Sequence, residues 1–269
     1  MRSALTIAGS DSSGGAGIQA DLKTFAALGL YGTSAITAVT AQNTTGVTSV
    51  TPLEADLVTA QIEAVAADIA IHATKIGMLA TAAIVEAVVA AIEDLDLPLV
   101  VLDPVLVSSS GYRLLDDEGA EALAKELLPR VRVVTPNIPE AEQLSGMRIS
   151  SRAEVRDAAR RIRKAGAKSV IITGGHAQFD TTEVVDLLLD GDTFHEFRAR
   201  RIGNAPTHGS GCTFASAVAA YLAHGCTLPQ ATDHAQQYVA GAIAHAVPVG
   251  HGRRPLNHFW RTQPQVSLG

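Results

Sequence analysis

Short apolar segments alternate with helical patterns along nearly the whole chain, and this alternation restricts the fold more than any other feature. The first unit is an apolar segment at 4–8, a small-residue loop at 9–17 and a helical pattern over 18–28. Further strands are predicted at 34–40, 74–77, 99–102, 131–135 and 169–173, and further helices over 55–67, 82–93, 118–128, from 140, and over 153–165. The alternation predicts a three-layer α/β domain in which a doubly wound, mostly parallel sheet carries helices on both faces.

The last third of the sequence departs from this rhythm. Apolar segments at 184–189 and 193–197 flank Asp190-Gly191-Asp192, whose residue types favour a hairpin turn. Helical patterns over 212–224 and 228–246 follow. No stretch rich in Pro, Gly or Ser divides the chain, so we expect one domain over 1–260 and a C-terminal tail over 261–269.

Composition excludes several classes of partner. The 269 residues are 47% hydrophobic and 18% charged, with two cysteines, which suits a globular core that needs no disulfides. The net charge of −6, without a run of Lys or Arg, predicts that no nucleic acid is bound. No apolar run reaches the roughly 18 residues that span a bilayer. We therefore expect a cytoplasmic protein that does not bind membranes.

Ligands of doubly wound sheets bind beyond the carboxyl ends of the strands, so polar residues after apolar runs are the candidates. The loop 9–17 follows the first strand, and its part 15–20 loosely matches a dinucleotide fingerprint. The next strand, however, ends in Thr40-Ala41-Gln42 and offers no acid for a ribose. The Gln42 amide would suit a heteroaromatic edge with an amino group beside a ring nitrogen, or would only bond to backbone.

Two acidic motifs follow later strands. Asp103-Pro104-Val105 and Thr135-Pro136-Asn137-Ile138-Pro139-Glu140 place carboxylates at separate strand ends. Each acid alone would be a cap or loop residue, whereas the pair would hold Mg²⁺ together with phosphates. The chain has no Gly-x4-Gly-Lys-Ser/Thr loop, so a kinase built on it is not of the P-loop class.

Two glycine-rich motifs lie near the ends of later elements. Gly174-Gly175-His176 would allow a nucleotide to approach closely, or would simply form a tight turn. The segment 207–212, Thr-His-Gly-Ser-Gly-Cys, leads into a helix, and its free N–H groups predict an anion site. At this helix start Cys212 is expected to favour the thiolate and to accept a proton. The alternatives are a buried structural Cys212 and a cysteine hydrolase with His208 as base.

In this order the motifs resemble the hydroxymethylpyrimidine and phosphomethylpyrimidine kinases of the ribokinase superfamily. The resemblance covers about the whole chain and rests on the motifs at 4–11, 14–23, 40–43, 75–79, 103–105, 135–137, 174–176, 207–212 and 250–252. It implies a ribokinase-like fold, a homodimer, and ATP- and Mg²⁺-dependent phosphorylation of 4-amino-5-hydroxymethyl-2-methylpyrimidine and its monophosphate in thiamine biosynthesis. A pyridoxine or pyridoxal kinase and a non-catalytic pyrimidine-binding protein remain alternatives.

The resemblance also implies residue roles. The pyrimidine would be held by Gly9, Ala16, Asp21, Gln42, Met78 and Val105. The nucleotide would meet Asn137, Thr173, Gly175 and Thr207, and the metal would meet Asp103 and Glu140. Gly209, Ser210 and Gly211 would form the anion hole, and Cys212 would stand where sugar kinases of the superfamily carry an aspartate base.

Three positions depart from the family pattern on the phosphate side. The family usually carries lysines where this chain has Thr173, Ser109 and Ala205. Each missing cation would weaken stabilisation of the transferring phosphoryl group. We expect an arginine among Arg113, Arg200 and Arg201 to compensate, or a differently tuned nucleotide side.

Overall fold

The computed structural model describes residues 1–108, 111–177, 182–202 and 207–262. In these ranges a nine-stranded sheet consists of β1 (Ser3–Asp11), β2 (Tyr31–Gln42), β3 (Val47–Pro52), β4 (Ala73–Ile76), β5 (Val101–Leu102), β6 (Val133–Val134), β7 (Ser169–Ile172), β8 (Glu183–Asp190) and β9 (Thr193–Arg200). The strand order is β3-β2-β1-β4-β5-β6-β7-β8-β9. The six central strands, β2-β1-β4-β5-β6-β7, pair in parallel. At the edges, β3 pairs antiparallel with β2, β8 with β7, and β9 with β8. The predicted mostly parallel sheet is confirmed.

Helices cover both faces of the sheet, as the alternating pattern predicts. They are α1 (Gly17–Ala27), α2 (Ala55–Ala66), α3 (Ala82–Asp94), α4 (Asp117–Ala122), α5 (Ile138–Ser145), α6 (Arg152–Lys164), α7 (Ser210–Ala223) and α8 (Leu228–Ala244). One apolar cluster joins the sheet to α2, α3, α5 and α6, and a second joins it to α1, α7 and α8. Burial of these two apolar clusters is the main source of the stability of the fold. None of the described helices is long and apolar enough to cross a bilayer.

Several predicted boundaries are wrong for local reasons. Strand β3 was not predicted, because its residues are largely exposed at the sheet edge and carry no apolar run. The loop predicted from residue 9 begins later, since β1 continues to Asp11. The helix predicted over 118–128 leaves α-geometry after Ala122, where a wider π turn spans Leu123–Leu127.

The C-terminal segment packs back onto the domain. A short strand β10 (Thr207–His208) pairs in parallel with β11 (Arg254–Pro255). Of the predicted tail, residues 263–269 lie outside the described ranges. Arg261 belongs to the packed part, because its guanidinium lies 5.4 Å from the Tyr238 ring centre and 5.1 Å from that of Trp260. The division at residue 260 stays a prediction.

Candidate active site

The polar residues picked out by the motifs collect at the carboxyl ends of the parallel strands. Strand β1 lies between β2 and β4, where the strand order reverses direction, and such a point opens a crevice for ligands. The pairing of β1 with β2 shifts register between Ala8 and Ser10, and that of β2 with β3 shifts between Ala41 and Gln42. Irregularities of this kind redirect side chains at a strand end.

Three of the residues predicted to hold the pyrimidine are neighbours. A Cβ at Gly9 would lie 3.0 Å from the Met78 sulfur, so the sulfur occupies the space that glycine leaves. Met78 forms a small apolar cluster with Ala38 and Ala80, against which Val105 packs. The structure therefore brings Gly9, Met78 and Val105 together as one apolar wall.

The Asp11 carboxylate organises the loop after β1. It accepts hydrogen bonds from the backbone N–H groups of Ser13, Gly15 and Ala16 at 2.8, 3.1 and 2.8 Å. Nε2 of His208 lies 3.0 Å from the same carboxylate. Burial raises the pKa of Asp11, but the hydrogen bonds from His208, Ser13 and Ala16 outweigh it and lower the pKa to about 2. The loop that carries Ala16 is thus held by an ionised side chain.

The role of Asp21 in holding the pyrimidine stays a prediction, and the structure shows the protein groups that surround its side chain. Its side chain is fully buried and accepts from Thr6 Oγ1 at 2.6 Å, Lys75 Nζ at 2.9 Å and Ser216 Oγ at 2.7 Å. These donors come from β1, β4 and α7. Asp21 connects these three elements through its hydrogen bonds.

Helix α7 begins as the glycine motif predicts. Gly209 is the N-cap, with φ of +85°, and a Cβ there would lie 1.9 Å from the Gly15 carbonyl oxygen, so no other residue fits. No described side chain caps the N–H groups of the first turn, which contains Ser210, Gly211 and Cys212. The turn lies beside a carboxylate, because a Cβ at Gly211 would be 3.8 Å from both Asp103 oxygens.

The expectation that Cys212 is a thiolate is wrong for the protein without ligand. Burial raises the pKa of Cys212 to about 12, and the nearby carboxylates of Asp103 and Asp21 add to the rise. The positive charge of Lys75 and the N–H of Gly17 oppose it without prevailing. The Cys212 thiol and the Asp103 carboxylate lie close enough to influence each other's pKa. Burial therefore outweighs the helix dipole on which the expectation depended.

The Asn137 and Glu140 side chains close the start of α5. The Asn137 Oδ1 accepts from the Glu140 N–H at 3.0 Å, and the Glu140 Oε2 accepts from the Asn137 N–H at 2.9 Å. This capping box accounts for one oxygen of Glu140. Burial, and after it the negative charge of Asp103, raise the pKa of Glu140 to about 8.

The pair of carboxylates suits a divalent cation. Burial raises the pKa of Asp103 to about 6, although Lys75 opposes the rise, and the like charges of Asp103 and Glu140 disfavour each other. A cation between two such groups would relieve both effects. Within the described ranges no three His, Cys, Asp or Glu side chains gather around one point. The donor set fits Mg²⁺, which takes one or two carboxylates and completes its shell with phosphates and water.

Three of the four predicted nucleotide residues lie along adjacent strand ends, whereas Thr207 belongs to β10 of the two-stranded sheet. Asn137 and Thr173 form an isolated parallel bridge, and the Thr173 N–H donates to the Pro136 carbonyl at 2.9 Å. The Gly174–His176 turn follows. The buried Asp186 accepts from the Gly174 N–H at 2.8 Å. Among the described residues, no atom lies within 4 Å of a Cβ built on Gly175.

One of the three arginines expected to compensate for the missing lysines lies on this turn. The Arg201 guanidinium donates to the Gly175 carbonyl at 2.9 Å and the Ala177 carbonyl at 3.3 Å. Arg113 instead pairs with Asp117, and Arg200 is exposed at the end of β9. Ser109 and Ala205 lie outside the described residues.

Two residues of the site were not recognised from the sequence: Lys75 was given no role, and His208 was given a different one. Lys75 is completely buried and lies near both Asp103 and Cys212. A lysine inside an apolar strand was a usable signal, because unpaired lysines are almost never fully buried. His208, considered only as a hydrolase base, contacts Gln42 and Asp11 instead.

Comparisons with known proteins agree with this geometry. The model of the phosphomethylpyrimidine kinase family matches residues 11–257. The hydroxymethylpyrimidine/phosphomethylpyrimidine kinase of Bacillus subtilis is 47% identical over 95% of the chain and 94% of its own length. A thiamine biosynthesis bifunctional protein of Geobacter sulfurreducens is 47% identical over 96% of the chain, which spans 52% of that longer protein. The pyridoxal kinase of Staphylococcus aureus, solved with ADP, superposes with a TM-score of 0.90 at 38% identity, over 98% of this chain and 95% of its own.

Proposed function

The chain belongs to the phosphomethylpyrimidine kinase family, and we propose that the site described above is the one at which it transfers a phosphoryl group. The protein is a kinase of thiamine biosynthesis that uses ATP to phosphorylate 4-amino-5-hydroxymethyl-2-methylpyrimidine and its monophosphate. The fold is ribokinase-like. The assignment of individual residues to substrate, nucleotide and metal is the part that we propose.

The observation that carries this assignment is the contact between the start of α7 and the end of β5. The Cys212 thiol lies close to the Asp103 carboxylate, and a Cβ at Gly211 would lie 3.8 Å from both oxygens of that carboxylate. An uncapped helix start attracts phosphate oxygens, and a carboxylate attracts a metal ion that accompanies them. Both features at one point support phosphoryl transfer there. Neither a dinucleotide site nor a cysteine hydrolase needs this pairing.

Each of the chain's own groups then has a definable task. The apolar wall of Gly9, Met78 and Val105 would hold the flat ring, and the Gln42 amide would bond to its polar edge. The first-turn N–H groups of α7 would bind oxygens of the transferring phosphoryl group and stabilise its developing charge. Holding both reactants in line removes most of the entropic cost of the reaction.

The hydroxymethyl proton needs an acceptor as the new P–O bond forms. We propose that the Cys212 sulfur takes this proton while its own hydrogen moves to the nearby Asp103 carboxylate. The bond between the γ-phosphorus and the bridging oxygen of ADP breaks as the new P–O bond forms. The substrate O–H bond breaks, its proton bonds to the sulfur, and the hydrogen that leaves the sulfur ends on the carboxylate. The buried ammonium of Lys75 and the Gly17 N–H both favour negative charge on the sulfur during the exchange.

Mg²⁺ would be held by Asp103 and Glu140, and when bound it would neutralise charge on the nucleotide phosphates. The binding site is testable without turnover. We expect millimolar Mg²⁺ to raise the thermal midpoint of the wild-type protein. Glu140→Gln keeps an oxygen to accept from the Asn137 N–H and so preserves the capping box. An equal Mg²⁺ effect in both proteins would rule out this metal site.

The nucleotide side is proposed to use Asn137, Thr173, Gly175 and Thr207. Arg201 supports this assignment, because its guanidinium donates to the Gly175 carbonyl and so brings a positive charge to the Gly174–His176 turn. A protein that only binds the pyrimidine would need none of these groups. The proposed kinase requires all of these groups on the side of the crevice where ATP binds.

The test is ADP release from MgATP by the purified protein with hydroxymethylpyrimidine, its monophosphate or pyridoxal. We expect turnover with both pyrimidines, and its loss in Cys212→Ala. Cys226→Ala is the matched control, because Cys226 packs against the α7–α8 cluster away from the site. Pyrimidine binding without ADP release in the wild type would establish a binding protein instead.

Pyridoxal is a second candidate substrate, and the close superposition on a pyridoxal kinase favours testing it. Its ring also carries a hydroxymethyl group, but it lacks the amino group beside a ring nitrogen. The ratio of kcat/KM values for hydroxymethylpyrimidine and pyridoxal separates the two readings. We expect the pyrimidine to be preferred.

The resemblance also predicts a homodimer, and the composition predicts a cytoplasmic location. The expected dimer has twice the 27.9 kDa mass of the chain, and sedimentation velocity measures it directly.

A further inference from the structure

The His208 ring joins two strand ends that frame the proposed pyrimidine pocket, yet the reaction outlined above gives it no task. Its Nε2 lies 3.0 Å from Asp11 Oδ2, at the end of β1. The same nitrogen lies 2.9 Å from the terminal Gln42 atom placed as the amide nitrogen, at the end of β2. The His208 side chain is only 11% exposed and that of Asp11 only 4%, so water does not replace these contacts easily.

The donor and acceptor roles at this nitrogen follow from Asp11. An ionised carboxylate only accepts hydrogen bonds, and Asp11 is ionised at neutral pH. A bare Nε2 lone pair facing it at 3.0 Å would be repelled. His208 therefore carries a hydrogen on Nε2, whether the ring is neutral or charged.

With a hydrogen on Nε2, the Gln42 amide has only one consistent orientation. An NH₂ group facing Nε2–H would set donor against donor, whereas Oε1 in that position accepts. The Thr40 hydroxyl agrees, because it donates its single hydrogen to the Ser10 carbonyl at 2.9 Å and can only accept from Gln42. The hydrogen-bond network therefore decides the orientation of the amide. Gln42 thus turns Oε1 to His208 and NH₂ to Thr40.

The rest of the surroundings hold this arrangement in place. The Gln42 backbone is fixed by Ser12, whose hydroxyl accepts from the Gln42 N–H and donates to the Gln42 carbonyl, both at 2.8 Å. The His208 ring fits only because residue 15 is glycine, since a Cβ there would lie 2.6 Å from the ring carbon Cδ2. The amide is therefore preorganised before any ligand binds.

We propose that His208 is a specificity-determining positioning residue, which fixes the orientation of the Gln42 amide and so selects a ring with an amino group beside a ring nitrogen. One amide N–H and one Oε1 lone pair remain for the ligand. The 4-amino edge supplies a donor and an acceptor that match them. A 4-oxo edge, with its oxygen beside a ring N–H, presents the reversed pattern. This inference rests on the proposed function, because it assigns Gln42 to the pyrimidine.

The test compares two acceptors that differ only at this edge, namely the 4-amino pyrimidine and its 4-oxo analogue. We expect His208→Leu to reduce the preference for the 4-amino compound on the order of ten- to a hundredfold, because the freed amide turns to suit either edge. His208→Gln restores an N–H donor at the position of Nε2 and is expected to keep the ratio within about threefold of wild type. An unchanged ratio in His208→Leu would overturn the proposal.

A second measurement needs no catalysis by a variant. The ¹⁵N spectrum of wild-type protein with labelled histidine reports which ring nitrogen carries hydrogen, with His208→Gln used to assign the signal. A hydrogen on Nε2 supports the proposal, and a bare Nε2 refutes it. If the wild type phosphorylates neither pyrimidine, the proposed function fails, and the ratio of calorimetric Kd values for the two compounds still decides the role of His208.

Discussion

Replacing Lys75 with methionine tests how the buried charges beneath the site are balanced. The Lys75 ammonium lies 2.9 Å from Asp21, with both side chains completely buried. Burial lowers the pKa of Lys75, but Asp21, Cys212 and Asp103 raise it further, so the ammonium stays charged. Lys75→Met keeps most of the side-chain volume and removes only the charge and its hydrogen bond.

The expected cost follows from what the substitution leaves behind. Asp21 keeps the hydroxyl donors Thr6 and Ser216 but loses its counter-ion in a fully buried site. Breaking a buried pair in this way costs about 3–5 kcal/mol. Because domains are stable by only about 5–15 kcal/mol, this is a large fraction of the total. Adding Asp21→Asn removes the stranded charge, and we expect it to restore about 2 kcal/mol.

Urea denaturation followed by circular dichroism gives the free energy of unfolding for each protein. Lys168→Met is the control, since Lys168 is exposed, and we expect a change within about 0.5 kcal/mol. A loss below about 1 kcal/mol in Lys75→Met, or a double variant less stable than both single ones, would refute the argument that these two charges depend on each other.

Further outcomes follow from the same geometry. We expect Gly175→Ala to leave unfolding by urea unchanged, because its Cβ meets no atom of the described residues. The added methyl group should raise the KM for ATP on the order of tenfold. Gly174→Ala is the contrasting variant, since it places a Cβ 2.3 Å from the Val185 carbonyl oxygen and should destabilise the fold. An unchanged KM in Gly175→Ala would place the nucleotide elsewhere. Burial, with Lys23 contributing, lowers the pKa of His258 to about 4. Between pH 6.5 and 4 the unfolded chain therefore binds a proton that the folded protein does not, and stability should fall by up to about 3 kcal/mol as the pH drops. His258→Gln should lose that part of the pH dependence. Urea titrations from pH 7.5 to 4.5 measure the free energy of unfolding, and the same dependence on pH in the variant and the wild type would show that the reasoning is wrong.

The sequence predicted the layers of the fold and most strand ends, because these depend on local patterns. An apolar run that stops at Asp103 indicates where a buried strand delivers a polar group, and it does so whatever lies around it. Gly209 was likewise recognisable, since a helix start with glycines has few other uses. The edge strand β3 was missed because its stability comes from pairing with β2 and not from apolar burial.

The charge states of the site could not be predicted from local patterns. Cys212 lies in the first turn of a helix, which favours a thiolate, but its surroundings come from strands far away in the chain. Asp21 was assigned to the ligand from the family resemblance, and its local pattern did not show its partners Lys75 and Ser216, which are 54 and 195 residues distant in sequence. Burial and long-range pairing decide protonation, and only the folded chain shows them.

The most direct test of the central claim follows the oxygen that is phosphorylated. The protein is supplied with MgATP and hydroxymethylpyrimidine carrying ¹⁸O in its hydroxymethyl group, and the product is examined by ³¹P NMR. We predict a phosphomonoester that retains the label in its P–O–C bridge and forms in equal amount to ADP. Inorganic phosphate as the only new phosphorus signal besides those of ADP, or an ester without the label, would contradict transfer to this oxygen.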